Sequence, residues 1–121
     1  AGPAAWLEEH PEAAKELFLR LKVVEVNRTA LTLAGLARVE DVREGLARFE
    51  ADFRAVFAAE LQALWDGRHE LTHDVSFRRD DGRVVHAIMH WTVPQEQGGP
   101  DYSRVMSVFT DVSDLRRTQT L

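Results

Sequence analysis

The hydrophobic period of this chain changes at Gly67. Upstream, apolar residues recur at three- and four-residue steps, and downstream they alternate. A stretch with helical period does not sit as a strand, nor an alternating one as a helix, so the pattern calls for helices first and an antiparallel sheet after them. The helix is best defined where Phe49, Phe53, Val56, Phe57, Leu61, Leu64 and Trp65 line one side, up to a stop at Asp66-Gly67. Beyond it, Leu71, His73, Val75 and Phe77 alternate up to Arg79-Asp80-Asp81-Gly82, and a second alternating run spans Val84 to Val93. Asp-Gly between such runs signals a hairpin, because both central residues of the favoured two-residue turn need positive φ. With Asp81-Gly82 as that turn, the register pairs His73 with His90, Val75 with Ile88 and Phe77 with His86. Pro94 to Pro100 is a loop by composition, Tyr102 to Val112 reads as a last strand, and Ser113 can cap a terminal helix.

Before the long helix, residues 1–10 read as a leader. Ala14, Leu17, Phe18 and Leu21 place a helix over 11–20, with Pro11 at its first position. Lys22 to Val26 is short, β-branched and partly alternating, and is expected to be a strand. Asn27 can cap the following helix, which Gly35 ends, and residues 36–48 suggest short helical turns interrupted at Gly45. The predicted fold is α+β: a curled antiparallel sheet of four or five strands with helices packed on one face and a helix at the N-terminus. At 121 residues the chain suits a single core, so 11–113 is read as one domain and 114–121 as the start of an output or linker helix. No window approaches the roughly 18–20 apolar residues of a membrane span, and a net charge of -5 gives no attraction for nucleic acid or an anionic membrane. The absence of cysteine removes disulfides, thiolate metal sites and cysteine nucleophiles, and fits a cytoplasmic location.

Several segments resemble the PAS (sensory box) family. Val24-Glu25-Val26-Asn27-Arg28-Thr29-Ala30-Leu31 is similar to the segment that leads into an Asn-capped helix there, with Gly35 where that helix ends. Leu61 to Gly67 resembles the close of the long helix, and Phe77 to Arg83 the hairpin. Val108-Phe109-Thr110-Asp111-Val112-Ser113 resembles the signature joining the last strand to an output helix. The chain departs from the family pattern in opening on a helix where two strands are usual. Within the family, the His10-Pro11-Glu12 helix and the Asn27 segment most resemble domains ahead of diguanylate cyclase or histidine kinase modules.

The resemblance implies a bacterial sensory module that binds a small ligand or partner and transmits through Asp111-Val112-Ser113 to a C-terminal output domain. It places Phe57, His73, Val75, Phe77, His86, Ile88, His90, Thr92, Ser107 and Phe109 around a ligand pocket. Met89, Trp91, Met106 and Val108 then form an apolar outer sheet face, covered by an N-terminal helix or, in a homodimer, by a second subunit. With no cysteine the flavin-adduct chemistry of the family is excluded, and the long helix carries no histidine to hold haem. A small organic ligand, or none, is left as the cofactor expectation. His73 and His90, as cross-strand neighbours, could touch a ligand, but no third residue stands at metal-site spacing, so no metal is expected. No catalytic motif is present and the domain is not expected to be an enzyme. Two alternatives stand beside the sensory reading: a cone-shaped enzyme or ligand-binding protein of the nuclear-transport-factor-like kind using His73 and His90, and a pure dimerisation module with a collapsed pocket.

Overall fold

Prolines open the first two helices. Pro3 begins α1 (Pro3–Glu9) and Pro11 begins α2 (Pro11–Leu19), where the missing N–H is one a helix start leaves unpaired anyway. Part of the expected leader is therefore helical. The structure is a computed structural model and describes residues 2–101 and 104–112. Tyr102, Ser113 and the expected terminal helix over 114–121 lie outside the described residues. Asn27 caps α3 (Arg28–Ala34), its Oδ1 accepting from the Ala30 N–H at 2.9 Å. Gly35, at φ 74°, closes that helix, and the Gly35 and Leu36 N–H groups donate back to Thr32 and Leu31. The short α4 (Val39–Glu44) and Gly45 lead into α5 (Leu46–Trp65), the 20-residue helix at the centre of the molecule.

Lys22 to Val26 does not form the expected strand. The Val23 and Val24 carbonyls accept from the Arg43 guanidinium at 2.6 and 2.9 Å, so a side chain does for this backbone what a neighbouring strand would have done. β-branched residues favour a strand where there is a surface to pack on, and Val24 stays exposed.

After α5 come β1 (Glu70–Arg78), β2 (Val84–Thr92), a two-residue ribbon of β3 (Gln95–Glu96) and β4 (Gly99–Pro100), and β5 (Met106–Asp111). The main sheet is antiparallel in the order β1-β2-β5, so among the described residues it has three principal strands where four or five were expected. At the hairpin the Arg79 N–H donates to the Arg83 carbonyl at 2.8 Å, leaving Asp80-Asp81-Gly82 as a three-residue loop. Only Gly82 in that loop has positive φ, at 87°. A two-residue turn would have forced Asp81 into the left-handed region as well; the longer loop leaves that conformation to glycine alone.

That one extra residue shifts the register by one. His73 lies opposite Met89, Val75 opposite Ala87 and Phe77 opposite Val85, while Thr72 meets His90 and Ser76 meets His86. A one-residue change moves a strand's whole apolar set to the other face. The set Val85, Ala87, Met89, Trp91 and Val93 turns inward and is buried, Trp91 to 2% exposure. Met89 and Trp91 are therefore core residues, not members of the outer face, and His86, Ile88, His90 and Thr92 point away from the helices. On β5, Phe109 pairs with Met89 and turns inward, whereas Met106 and Val108 lie outside, 56% and 48% exposed.

α5 packs on the inner face, where Phe49, Phe53, Val56 and Leu64 join a core that includes Val75, Phe77, Met89 and Trp91. α1 and α2 pack against α5, with Phe18 edge-on to Phe57 at 5.6 Å. The N-terminal helices thus add a layer behind the long helix and do not cover the outer sheet face.

Candidate functional site

Aromatic side chains cluster between α5 and the inner face of the sheet. The Phe77 ring lies 6.0 Å from Phe49 and 5.6 Å from Phe53, and Phe53 meets Phe109 edge-on at 6.4 Å. Of the residues expected around a pocket, Val75, Phe77 and Phe109 come together here, packed against one another's neighbours. Phe57 is buried on the α2 side of α5. Ser107 is exposed on β5, opposite Trp91.

The histidines separate. His90 and His86 lie on the outer face, where each ring Nδ1 shares a hydrogen bond with a cross-strand hydroxyl: Thr72 Oγ1 at 3.0 Å and Ser76 Oγ at 2.8 Å. His73 points inward. The His73/His90 pair does not exist, because the three-residue hairpin loop puts the two rings on opposite faces, and the acid–base reading that needed them side by side is overturned. Among the described residues no three His, Cys, Asp or Glu side chains converge as a metal site.

An open cleft of about 410 Å³ lies at the edge of the sheet, between α1, the end of α5 and the start of β1. Ala59 and Ala63, one turn apart on α5, leave the space, with Leu71 and His73 across from them on β1. Gln62 holds α1 beside it, its Oε1 accepting from the Ala4 N–H at 3.1 Å while its amide reaches both Asp66 oxygens at 3.3 Å. The turn ending α5 sets Arg68 at the rim: Gly67 has φ 78°, and the Arg68 N–H donates to the Ala63 carbonyl at 2.8 Å. His73 Nε2 is buried without a hydrogen-bond partner, and burial lowers the imidazole's pKa, which favours the neutral ring.

Glu60 is a buried ionisable group, 9% exposed. It sits on the apolar stripe of α5, four residues after Val56 and four before Leu64. Its Oε2 has no partner, and desolvation pushes the carboxyl up to about 8. Glu50 is buried too, but the Arg54 guanidinium spans both its oxygens at 2.9 and 2.7 Å. Gln62, Asp66 and Arg68 carry no motif; the available signal was the small pair Ala59/Ala63 beside charged residues at a helix end. Glu60 was visible as a carboxylate in phase with Val56 and Leu64.

Asp111 closes β5 opposite Ala87, and the Val112 N–H donates to the His86 carbonyl at 3.1 Å, so the chain leaves the sheet tied to β2. None of the helices among the described residues is long and apolar enough to cross a membrane.

A family model for the PAS fold matches residues 19–111. No curated protein matches the chain. Among solved structures, the Vibrio cholerae VqmA dimer, described in the absence of its target DNA and as a LuxR-type receptor, is similar at 22% identity and a TM-score of 0.48. That match covers 89% of this chain and 52% of the other, so this chain spans about half the length of that one.

Proposed function

The chain belongs to the PAS family, and on that premise we propose that residues 11–113 are the sensory module of a larger bacterial signalling protein. PAS domains are generally sensory and not catalytic. In this reading the module sits in the cytoplasm, pairs with a second copy of itself, and drives an output domain beyond Val112 of the diguanylate cyclase or histidine kinase class. A net charge of -5 favours a small ligand or protein partner over nucleic acid.

One observation carries the signalling role. Phe77 on β1, Phe53 on α5 and Phe109 on β5 are in ring contact, so a shift of the helix or of the edge strand reaches the strand that ends at Asp111. A densely packed core passes on displacement because it leaves no slack to absorb it. The same rings pack α5 against the inner face of the sheet, which supports a ligand or partner acting from the edge or the outer face. The test uses the full-length protein. Phe109→Leu should uncouple output from its stimulus while the domain keeps its thermal unfolding transition. A regulated output that responds as in the wild type would refute the reading.

A further inference from the structure

We propose that the outer face of the β1-β2-β5 sheet pairs with the same face of a second copy, about a two-fold axis that crosses the strands at Ile88. Each strand then lies antiparallel over its own copy. The proposal rests on the homodimer of the sensory reading and names the surface that forms it.

The strand register fixes where each side chain of this face stands. β1 brings its acids and its base, Glu70, Asp74 and Arg78, all exposed and at four-residue steps. β2 and β5 bring exposed apolar side chains in Val84, Met106 and Val108. Between them, the His90 and His86 rings already share hydrogen bonds with the Thr72 and Ser76 hydroxyls along the sheet. Polar groups paired in this way cost less to take out of water, so the face is suited to burial.

Charge selects the axis. Glu70 and Arg78 stand about 14 Å either side of Asp74, and no ion pair among the described residues involves either. A two-fold through the Asp74-Ile88-Thr110 row carries Glu70 of each copy to Arg78 of the other, twice by symmetry. Stacked sheets lie about 10 Å apart and rotated by roughly 30°, which offsets those ends by about 7 Å, a span the two long side chains cover. The same axis sets Val84 against Thr92 and Met106 of the second copy. Moved two residues one way, it opposes Glu70 to Asp74; moved two the other way, it leaves Met106 and Val108 uncovered. An axis along the strands lays the Glu70 carboxylate on Met106. The proposed axis carries one cost, the approach of the two Asp74 carboxylates. The face measures about 30 by 14 Å, or roughly 900 Å² over both copies, which is the size of a weak, reversible pairing.

The experiment is sedimentation of the 121-residue chain over about 5–500 μM. Wild type should show a concentration-dependent dimer. Glu70→Arg and Arg78→Glu should each weaken it by at least about tenfold at an unchanged unfolding midpoint, because each reversal turns two attractions into two repulsions. The double reversal should recover to within about threefold of wild type. Asp74→Asn should tighten the dimer. A chain that stays monomeric, as it does if another segment or partner covers the face, overturns the proposal. So do a double reversal that fails to recover and an Asp74→Asn dimer no tighter than wild type. If the chain dimerises but neither single reversal matters, the homodimer of the sensory reading stands on another surface and this interface falls. A full-length protein that is monomeric throughout removes the homodimer itself.

Discussion

Glu60 makes the stability of this domain depend on pH in a direction opposite to that of most carboxylates. Its folded pKa is about 8 against an ordinary 4.5. The folded state therefore holds a proton that the unfolded chain releases above pH 4.5. Stability is fully present below pH 4.5, is lost as pH rises toward 8, and levels off above that. At about 1.4 kcal/mol per pKa unit, the loss is about 3 kcal/mol by pH 7 and about 5 kcal/mol above pH 8. For a domain whose whole stability is of order 5–15 kcal/mol, that is a large share. Glu60→Leu removes the group and fills the same apolar stripe. It should raise stability at pH 7 by about 3 kcal/mol and flatten the fall between pH 5 and 8. Glu60→Gln should flatten it too but gain less, because a buried amide replaces the acid. His73 contributes in the other sense: its lowered pKa gives stability that is present above the ordinary histidine value and lost as pH falls. That contribution is common to wild type and variants and cancels in the difference. Urea unfolding at half-unit steps from pH 5 to 8.5 reads the effect. A wild-type-minus-Glu60→Leu difference that changes by less than about 1 kcal/mol over the range would refute burial of an uncompensated carboxyl.

Phe77→Ala removes the ring that Phe49 and Phe53 both pack on, and should cost about 3–5 kcal/mol in chemical unfolding. Gly35→Ala forces an L side chain to φ 74° and toward the Arg79 guanidinium, which an added Cβ would meet at 2.7 Å; a loss of about 1–2 kcal/mol is expected, read as a lowered melting temperature. Asn27→Ala removes the cap of α3 and should cost about 1 kcal/mol, with Asn27→Ser restoring most of it. Val108→Glu places a charge on the outer face without touching the core, so sedimentation should show the proposed homodimer dissociating while the unfolding midpoint stays put.

Local features of the helices were legible because each has a local cause. The Asn27 cap and the Gly35 stop follow from what those side chains can do to nearby amides, and the stripe from Phe49 to Leu64 follows from helical period. The PAS assignment, the α+β class and the hairpin itself were legible in the same way. The hairpin register was not. Asp80-Asp81-Gly82 supports a two- or a three-residue loop, and the choice turns on whether Asp81 takes positive φ, which composition does not say. The failed strand at Lys22 to Val26 has a different cause, since it depended on Arg43, 19 and 20 residues away, reaching the Val24 and Val23 carbonyls. The cleft was invisible because it is made by small residues and by α1 lying against Gln62, a contact 58 residues apart in sequence.

Energies show why the apolar alternation of β2 outranked the family resemblance in deciding the sheet's faces. Turning Met89 and Trp91 outward exposes two large side chains, at about 1.5–3 kcal/mol for each. Bringing His86 and His90 inward costs about 1–3 kcal/mol for each imidazole that loses its Ser76 or Thr72 partner. Together these come to about 5–12 kcal/mol, comparable with the stability of the whole domain. The hairpin therefore cannot slip by one residue as part of its function. In the proposed sensory role, a signal that starts at the edge of β1 would travel at fixed register, as displacement of Phe77 against Phe53 and of Phe53 against Phe109, toward β5.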